Sequence, residues 1–291
     1  NPSKKAGRVK YQQKTPLIGT FIPPTLIEVG GIEDLTHEVF GPVLHIARYA
    51  QHQLPEIIEN INATGYGLTF GLQTRIDDRV QYIKDRIKVG NIYVNRNQIG
   101  AIVGSQPFGG EGLSGTGPKA GGPHYLSRFS SAASCTVKSH WPNDMPIEKL
   151  VKTLLDIQTT KPNPPISLPG PTGESNQLSL HPKPPILCLG PGQHACDQQV
   201  LQIRKLGGHA VPVDGGITPA DLIVTPPIGG VIWWGDHKRA RSYSQALAKR
   251  AGPIVPLITS QPDTAHALSE RHICIDTTAA GGNAKLLSGL S

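Results

Sequence analysis

The stretch QPFGGEGLSGTGPKAGGPHYL, residues 106–126, places seven glycines and three prolines in twenty-one positions. No regular helix survives that density of helix breakers, and the run is too long for a single turn. Glycine loses more backbone freedom on folding than any other residue. A fold that keeps so many therefore needs several positive φ angles, or a main chain brought close to something else. The stretch is expected to be an ordered loop that forms the wall of a site.

The rest of the chain can supply a core for that loop to lean on. Of 291 residues, 37% are hydrophobic and 17% charged, which suits one large globular domain or two ordinary ones. The 33 glycines and 27 prolines, about a fifth of the chain, fall short of a low-complexity composition. A net charge of +7 invites a nucleic-acid reading. The basic residues are dispersed, however, apart from Lys4, Lys5, Arg8, Lys10 and Lys14, which read as a solvated surface segment. No nucleic-acid contact is expected. Cys135, Cys188, Cys196 and Cys274 lack CxxC spacing, and three of them sit in or beside apolar runs, so buried thiols are expected and no metal site. With no signal-peptide pattern and no twenty-residue apolar span, the expectation is a cytoplasmic protein without a transmembrane segment. Residue 1 is Asn and the one methionine is Met145, which suggests a piece of something longer.

The first half alternates strand and helix signals. GTFIPPTLIEV and GPVLHIARYA read as extended runs. Leu54, Ile57, Ile58 and Ile61 then recur at helical spacing, with Pro55 acceptable in a first turn. LTFGLQT returns to strand. Asp77 or Asp78 caps a second helix carrying Val80, Ile83 and Ile87, which Gly90 ends, and NIYVN follows as a strand. Such an order implies a parallel or mixed sheet with its ligand loops at the strand carboxyl ends, and the glycine-rich stretch lies just after such a strand. SRFSSAASCTVKSHW holds short β-prone pieces, and residues 161–176 are proline-rich enough to read as a linker. From about residue 182, PPILCLG, GHAVPV, DLIVTP, GGVIWWG, GPIVPLIT and HICIDTT are six strand candidates, with helices near 194–206 and 238–251.

THEVFGPVL (36–44), GYGLTFGLQTRID (65–77), GNIYVNRNQIGAIVGSQPFGG (90–110) and EGLSGTGPKAGGPHYL (111–126) together closely resemble the distal part of the aldehyde dehydrogenase catalytic domain. The last two resemble in particular the glutamate-semialdehyde dehydrogenase half of the bifunctional proline utilization A family. The tail IDTTAAGGNA (275–284) looks like the end of that family's longer members. The resemblance implies an α/β chain. Residues 1–135 would be the distal part of the catalytic domain, 136–181 a linker and β-hairpin region, and 182–291 a Rossmann-like C-terminal domain.

The resemblance also implies roles. Glu38 would hold the nicotinamide ribose hydroxyls of NAD by charge-assisted hydrogen bonds, with Phe40 packed by the nicotinamide. Gly100 and Ala101 would present backbone amides to the substrate carboxylate, as main-chain nests do for anions. Phe108 would give the pocket an apolar face. The substrate would be L-glutamate γ-semialdehyde. No catalytic residue is expected in this chain. The family's cysteine nucleophile, glutamate base and oxyanion asparagine would lie upstream of Asn1, with the dehydrogenase's nucleotide-binding domain and an FAD-dependent proline dehydrogenase barrel, so this segment alone would be inactive. Its partners would be those upstream domains and further copies in a homo-oligomer. The reading set against this one is a non-catalytic module for oligomerisation and for covering a substrate channel.

Three motifs tempt without carrying far. Gly190, Gly192 and Ala195 give G-x-G-x-x-A between a strand and a helix, with Asp214 beyond, but Pro191 removes an amide and the resembled domain is regarded as not binding cofactor. A vestigial fold that covers the active-site region is the better reading. His194 and Cys196 have no matching second pair for a metal. Trp233 and Trp234 end an apolar strand and read as core.

Overall fold

The computed structural model describes residues 8–115, 117–130, 132–157 and 162–278. Lys4, Lys5, Lys161 at the start of the expected linker, and residues 279–284 of the tail motif lie outside the described residues. The chain divides into two compact units. One holds the chain up to Gly65 together with Asp85–Ile87; the other holds Tyr66–Lys84 and the chain from Lys88 onward.

The first unit carries a three-stranded sheet, β1 (Val9–Gln12), β2 (Thr25–Glu28) and β3 (Val43–Ile46). β2 is central, antiparallel to β1 and parallel to β3, and it buries Thr25 and Ile27 on one face. The helix expected after Gln53 forms as α1 (Leu54–Ala63), with Pro55 in its first turn and Ile58 buried.

In the second unit a short antiparallel pair, β4 (Tyr66–Gly67) and β7 (Glu111–Gly112), ties the glycine-rich stretch to the chain ahead of it. β5 (Thr69–Leu72), α2 (Asp77–Lys84) and β6 (Asn91–Val94) form as periodicity suggests, with Asp77 and Asp78 in the first turn of α2. Gly90 does not end that helix, which stops at Lys84. Its role is close approach, because a Cβ built on Gly90 would fall inside the carbonyl of Gly109.

Downstream come α3 (Ile147–Leu155), β8 (Ile166–Leu168) and β9 (Glu174–Pro182). β8 pairs antiparallel with β9, so the proline-rich stretch expected as a linker contributes one strand of a sheet and the start of another. Next are β10 (Ile186–Cys188), α4 (Gly192–Lys205), β11 (Ala210–Pro212), α5 (Pro219–Val224), β12 (Gly230–Ile232), α6 (His237–Leu247), β13 (Leu257–Ile258), α7 (Thr264–Ala267) and β14 (Leu268–Asp276). The strand expected at DLIVTP is instead α5, started by Thr218, whose side chain accepts from the Asp221 amide, and by Pro219 in the first turn.

β11, β10, β12 and β13 make an all-parallel sheet in that order. Its strands are buried on both faces. Leu187, Val211, Val231 and Trp233 pack with Leu150, Leu222 and Tyr243 on one side, while Ile186, Cys188, Ile232 and Trp234 pack with Ala195, Cys196 and Ile203 on the other. Each such fully buried aliphatic side chain contributes on the order of 2 kcal/mol. Both tryptophans are core residues, as expected.

The last strand leaves that sheet. β14 joins a five-stranded sheet of order β5-β6-β14-β9-β8, lying parallel to β6 and antiparallel to β9. HICIDTT is thus a strand, but of another sheet than its neighbours in sequence. Among the described residues no helix is long and apolar enough to cross a membrane.

Gly90 is the point where β6 and the glycine-rich stretch meet. Gly90→Ala in the polypeptide carrying this segment is expected to lower unfolding free energy by about 3 kcal/mol, read from the urea midpoint, because backbone and not a flexible side chain must yield.

Candidate functional site

The glycine-rich stretch is ordered. Ile102 pairs with Gln106 and Phe108 with Ala120 across isolated bridges, and Gly104 donates to the Gly121 carbonyl at 2.9 Å. Gly100, Gly104, Gly112, Gly117 and Gly121 all have positive φ, the conformational demand that the composition implied.

Polar side chains hold this loop from below. Asn91 donates to the Pro107 carbonyl at 2.9 Å and accepts from the Gly109 amide at 3.1 Å. Lys119, only 2% exposed, gives its ammonium to Asn91 Oδ1 at 2.9 Å and to the Gly109 carbonyl. Burial pulls its pKa down to about 8, against the opposing pull of the Glu111 and Glu270 carboxylates. The Lys119 amide donates to Glu270 at 2.6 Å. Arg271 grips Glu111 through two bonds of 2.5 and 2.8 Å. Gln106 donates to Glu174 at 2.7 Å, and Arg96 donates to the other oxygen of Glu174 at 2.6 Å and to Cys274 Sγ at 3.0 Å. Glu270, Arg271 and Cys274 all stand on β14.

Apart from Cys274, expected only as a buried thiol, the sequence singled out none of these supporting residues. A lysine inside a run of glycines was the one legible hint, since the small residues around it leave room for a buried side chain.

Of the expected contact residues, Gly100 and Ala101 sit side by side on an exposed turn of the second unit. Gly100 has φ +120°, a conformation that glycine alone adopts readily. Among the described residues the amides of Gly100 and Ala101 donate to no partner. Phe108 is half-buried in the same loop, its backbone paired to Ala120 by bonds of 3.0 and 2.8 Å. Glu38 and Phe40 belong to the first unit, in irregular chain just before β3. Glu38 is exposed and, among the described residues, its carboxylate is engaged by no hydrogen bond or ion pair. The Phe40 ring is 98% exposed. A free carboxylate and an uncovered ring fit a ribose diol and a planar heterocycle.

The dinucleotide-like motif is differently placed. Gly190, Pro191 and Gly192 are buried between β10 and α4. Gln199 is fully buried and accepts from the Gly190 amide at 2.9 Å while donating to its carbonyl at 2.8 Å. Trp141 donates to the Leu189 carbonyl at 2.6 Å, and the space beside Gly192 is filled by Ser139. The main chain that would face a phosphate is occupied by the protein itself. His194 is exposed and Cys196 buried, so helix α4 turns the two apart.

Residues 4–135 match the aldehyde dehydrogenase family. This part of the chain belongs to that family. Across 93% of its length the chain is 37% identical to the bifunctional protein PutA of Salmonella typhimurium, of which it spans 24%. It is 43% identical over 118 residues to the 1-pyrroline-5-carboxylate dehydrogenase of Bacillus pumilus, covering 39% of this chain and 22% of that one. A solved structure of proline utilization A from Corynebacterium freiburgense shares the fold, with a TM-score of 0.58 at 24% identity over 91% of this chain and 28% of that one. The chain spans about a quarter of the length of its PutA relatives.

The strand that braces the loop carries a pH signature. His272, fully buried on β14, donates from Nε2 to Asn176 Oδ1 at 3.2 Å. Burial, helped by the charge of Lys119, pulls its pKa down from 6.5 to about 4. The unfolded chain therefore takes up a proton below pH 6.5 that the folded chain refuses until about pH 4, and stability falls as pH drops through that window. The full loss is about 3 kcal/mol. Urea unfolding at pH 6.5, 5.5 and 4.5 is expected to show this slope in the wild type and less than half of it in His272→Gln.

Proposed function

We propose that this chain is the distal part of an NAD-dependent aldehyde dehydrogenase within a longer bifunctional polypeptide, oxidising L-glutamate γ-semialdehyde, the open form of 1-pyrroline-5-carboxylate, to L-glutamate. An FAD-dependent proline dehydrogenase domain upstream would produce the precursor. Similarity to PutA along nearly the whole chain, and to 1-pyrroline-5-carboxylate dehydrogenases over part of it, supports this reading. The observation that carries it is the turn at Gly100 and Ala101, where two exposed amides, unpartnered among the described residues, stand on a loop braced by half-buried ion pairs.

In this reading residues 1–135 supply the ligand contacts. NAD, when bound, accepts the hydride released as the aldehyde becomes an acid. Glu38 accepts hydrogen bonds from the ribose hydroxyls and orients the ring, and Phe40 covers that ring from water. The Gly100 and Ala101 amides hold the substrate's carboxylate, so that the aldehyde end reaches a nucleophile supplied from upstream. Phe108 lines the apolar part of the pocket. Residues 136–181 act as linker and hairpin, and 182–291 as a Rossmann-like domain that covers the active-site region. The whole works in the cytoplasm as a homo-oligomer.

Glu38→Ala in the intact polypeptide tests the ligand contacts. Loss of charge-assisted hydrogen bonds is expected to raise KM for NAD about tenfold or more while leaving the melting temperature unchanged, because the side chain is exposed. A purely structural module makes the opposite demand: a lower melting temperature with unaltered KM.

A further inference from the structure

We propose that Tyr93 is a positioning residue whose phenol aims the Ala101 amide outward and thereby sets the preference for aldehydes that bear a carboxylate. This rests on the reading of Gly100 and Ala101 given above. Tyr93 stands on β6 with no exposed surface, and a buried phenol must find an acceptor. It donates to the carbonyl of Gly100 at 2.9 Å, seven residues further along.

That carbonyl belongs to the same peptide unit as the Ala101 amide. Among the described residues the one cis peptide is Gly190–Pro191, so the unit between Gly100 and Ala101 is trans. In a trans unit the C=O and N–H point in opposite directions. Drawing the Gly100 oxygen inward therefore turns the Ala101 N–H outward, toward an arriving anion. The turn is otherwise lightly restrained. Ile99 is 80% exposed and its amide donates to Asn97 Oδ1 at 3.1 Å.

The Tyr93 ring is itself held. The guanidinium carbon of Arg96 lies 5.5 Å from the ring centroid, and Arg96 is anchored to Glu174 on β9 and to Cys274 on β14. The donor thus sits on a rigid strand under a fixed cation, and the flexible partner is the glycine. Burial raises the phenol's pKa, which keeps it protonated as a donor.

The test uses the intact polypeptide and compares L-glutamate γ-semialdehyde with butanal, an uncharged aldehyde of similar length. Tyr93→Phe keeps the ring and removes the bond. The ratio of kcat/KM for the semialdehyde to that for butanal is expected to fall about tenfold, with the loss in KM, and competitive inhibition by glutarate is expected to weaken by about the same factor. A fall shared equally by both aldehydes, or an unchanged ratio, overturns the proposal. Should Tyr93→Phe fail to fold, Arg96→Lys, which strips the planar cover from the ring, is expected to lower the same ratio about threefold, and no change in it is again fatal. A wild type that turns over butanal as well as the semialdehyde and ignores glutarate would instead sink the carboxylate reading itself.

Discussion

One strand from the far end of the chain, Leu268–Asp276, makes the site possible. It lies in the middle of the five-stranded sheet, parallel to Asn91–Val94 and antiparallel to Glu174–Pro182. A loop so rich in glycine has few side chains of its own to pack, and its order must come from outside. Glu270 and Arg271 supply it, binding the Lys119 amide and Glu111 across separations of 151 and 160 residues. Half-buried charges are best tolerated when paired, as Glu111 is with Arg271 and Glu174 with Arg96, while the buried Lys119 ammonium is held by Asn91 and the Gly109 carbonyl. The pairs fix where the loop's backbone runs.

The all-parallel sheet and the mixed five-stranded sheet of the second unit divide the labour. The sheet of β11, β10, β12 and β13 has the form of a nucleotide-binding fold, yet Gln199, Trp141 and Ser139 occupy its phosphate-facing turn. Its loop is a packed joint. The five-stranded sheet carries the exposed amides. In the proposed enzyme the first sheet serves the second, since β14 and its short lead-in helix emerge from the first and end under the glycine loop.

Local pattern revealed much of this. The period of Leu54, Ile57, Ile58 and Ile61 marks α1, the short β-prone run NIYVN marks β6, and the glycine run announces its positive φ angles. Errors fell where the information is not local. DLIVTP is too short an apolar run for period to separate strand from helix, and the Thr218-Pro219 start signal was the better guide. HICID reads as a strand from any viewpoint, but nothing near it says which sheet it enters. The prolines of 161–176 disguised the edge strand β8 and the start of β9, because they flank these strands without entering the paired residues. The proposed contact residues come from family resemblance alone, whereas Tyr93 and Lys119 were not legible, because each matters through the carbonyl it reaches.

The central claim is that the braced loop offers the Gly100 and Ala101 amides to a carboxylate. Site-resolved hydrogen exchange on the intact polypeptide, with and without saturating L-glutamate, addresses it directly. The account predicts slow exchange at Phe108 and Ala120 in both states, fast exchange at Gly100 and Ala101 in the free protein, and marked slowing of that pair when the amino acid binds. Protection that appears elsewhere while these two amides stay fast would contradict it.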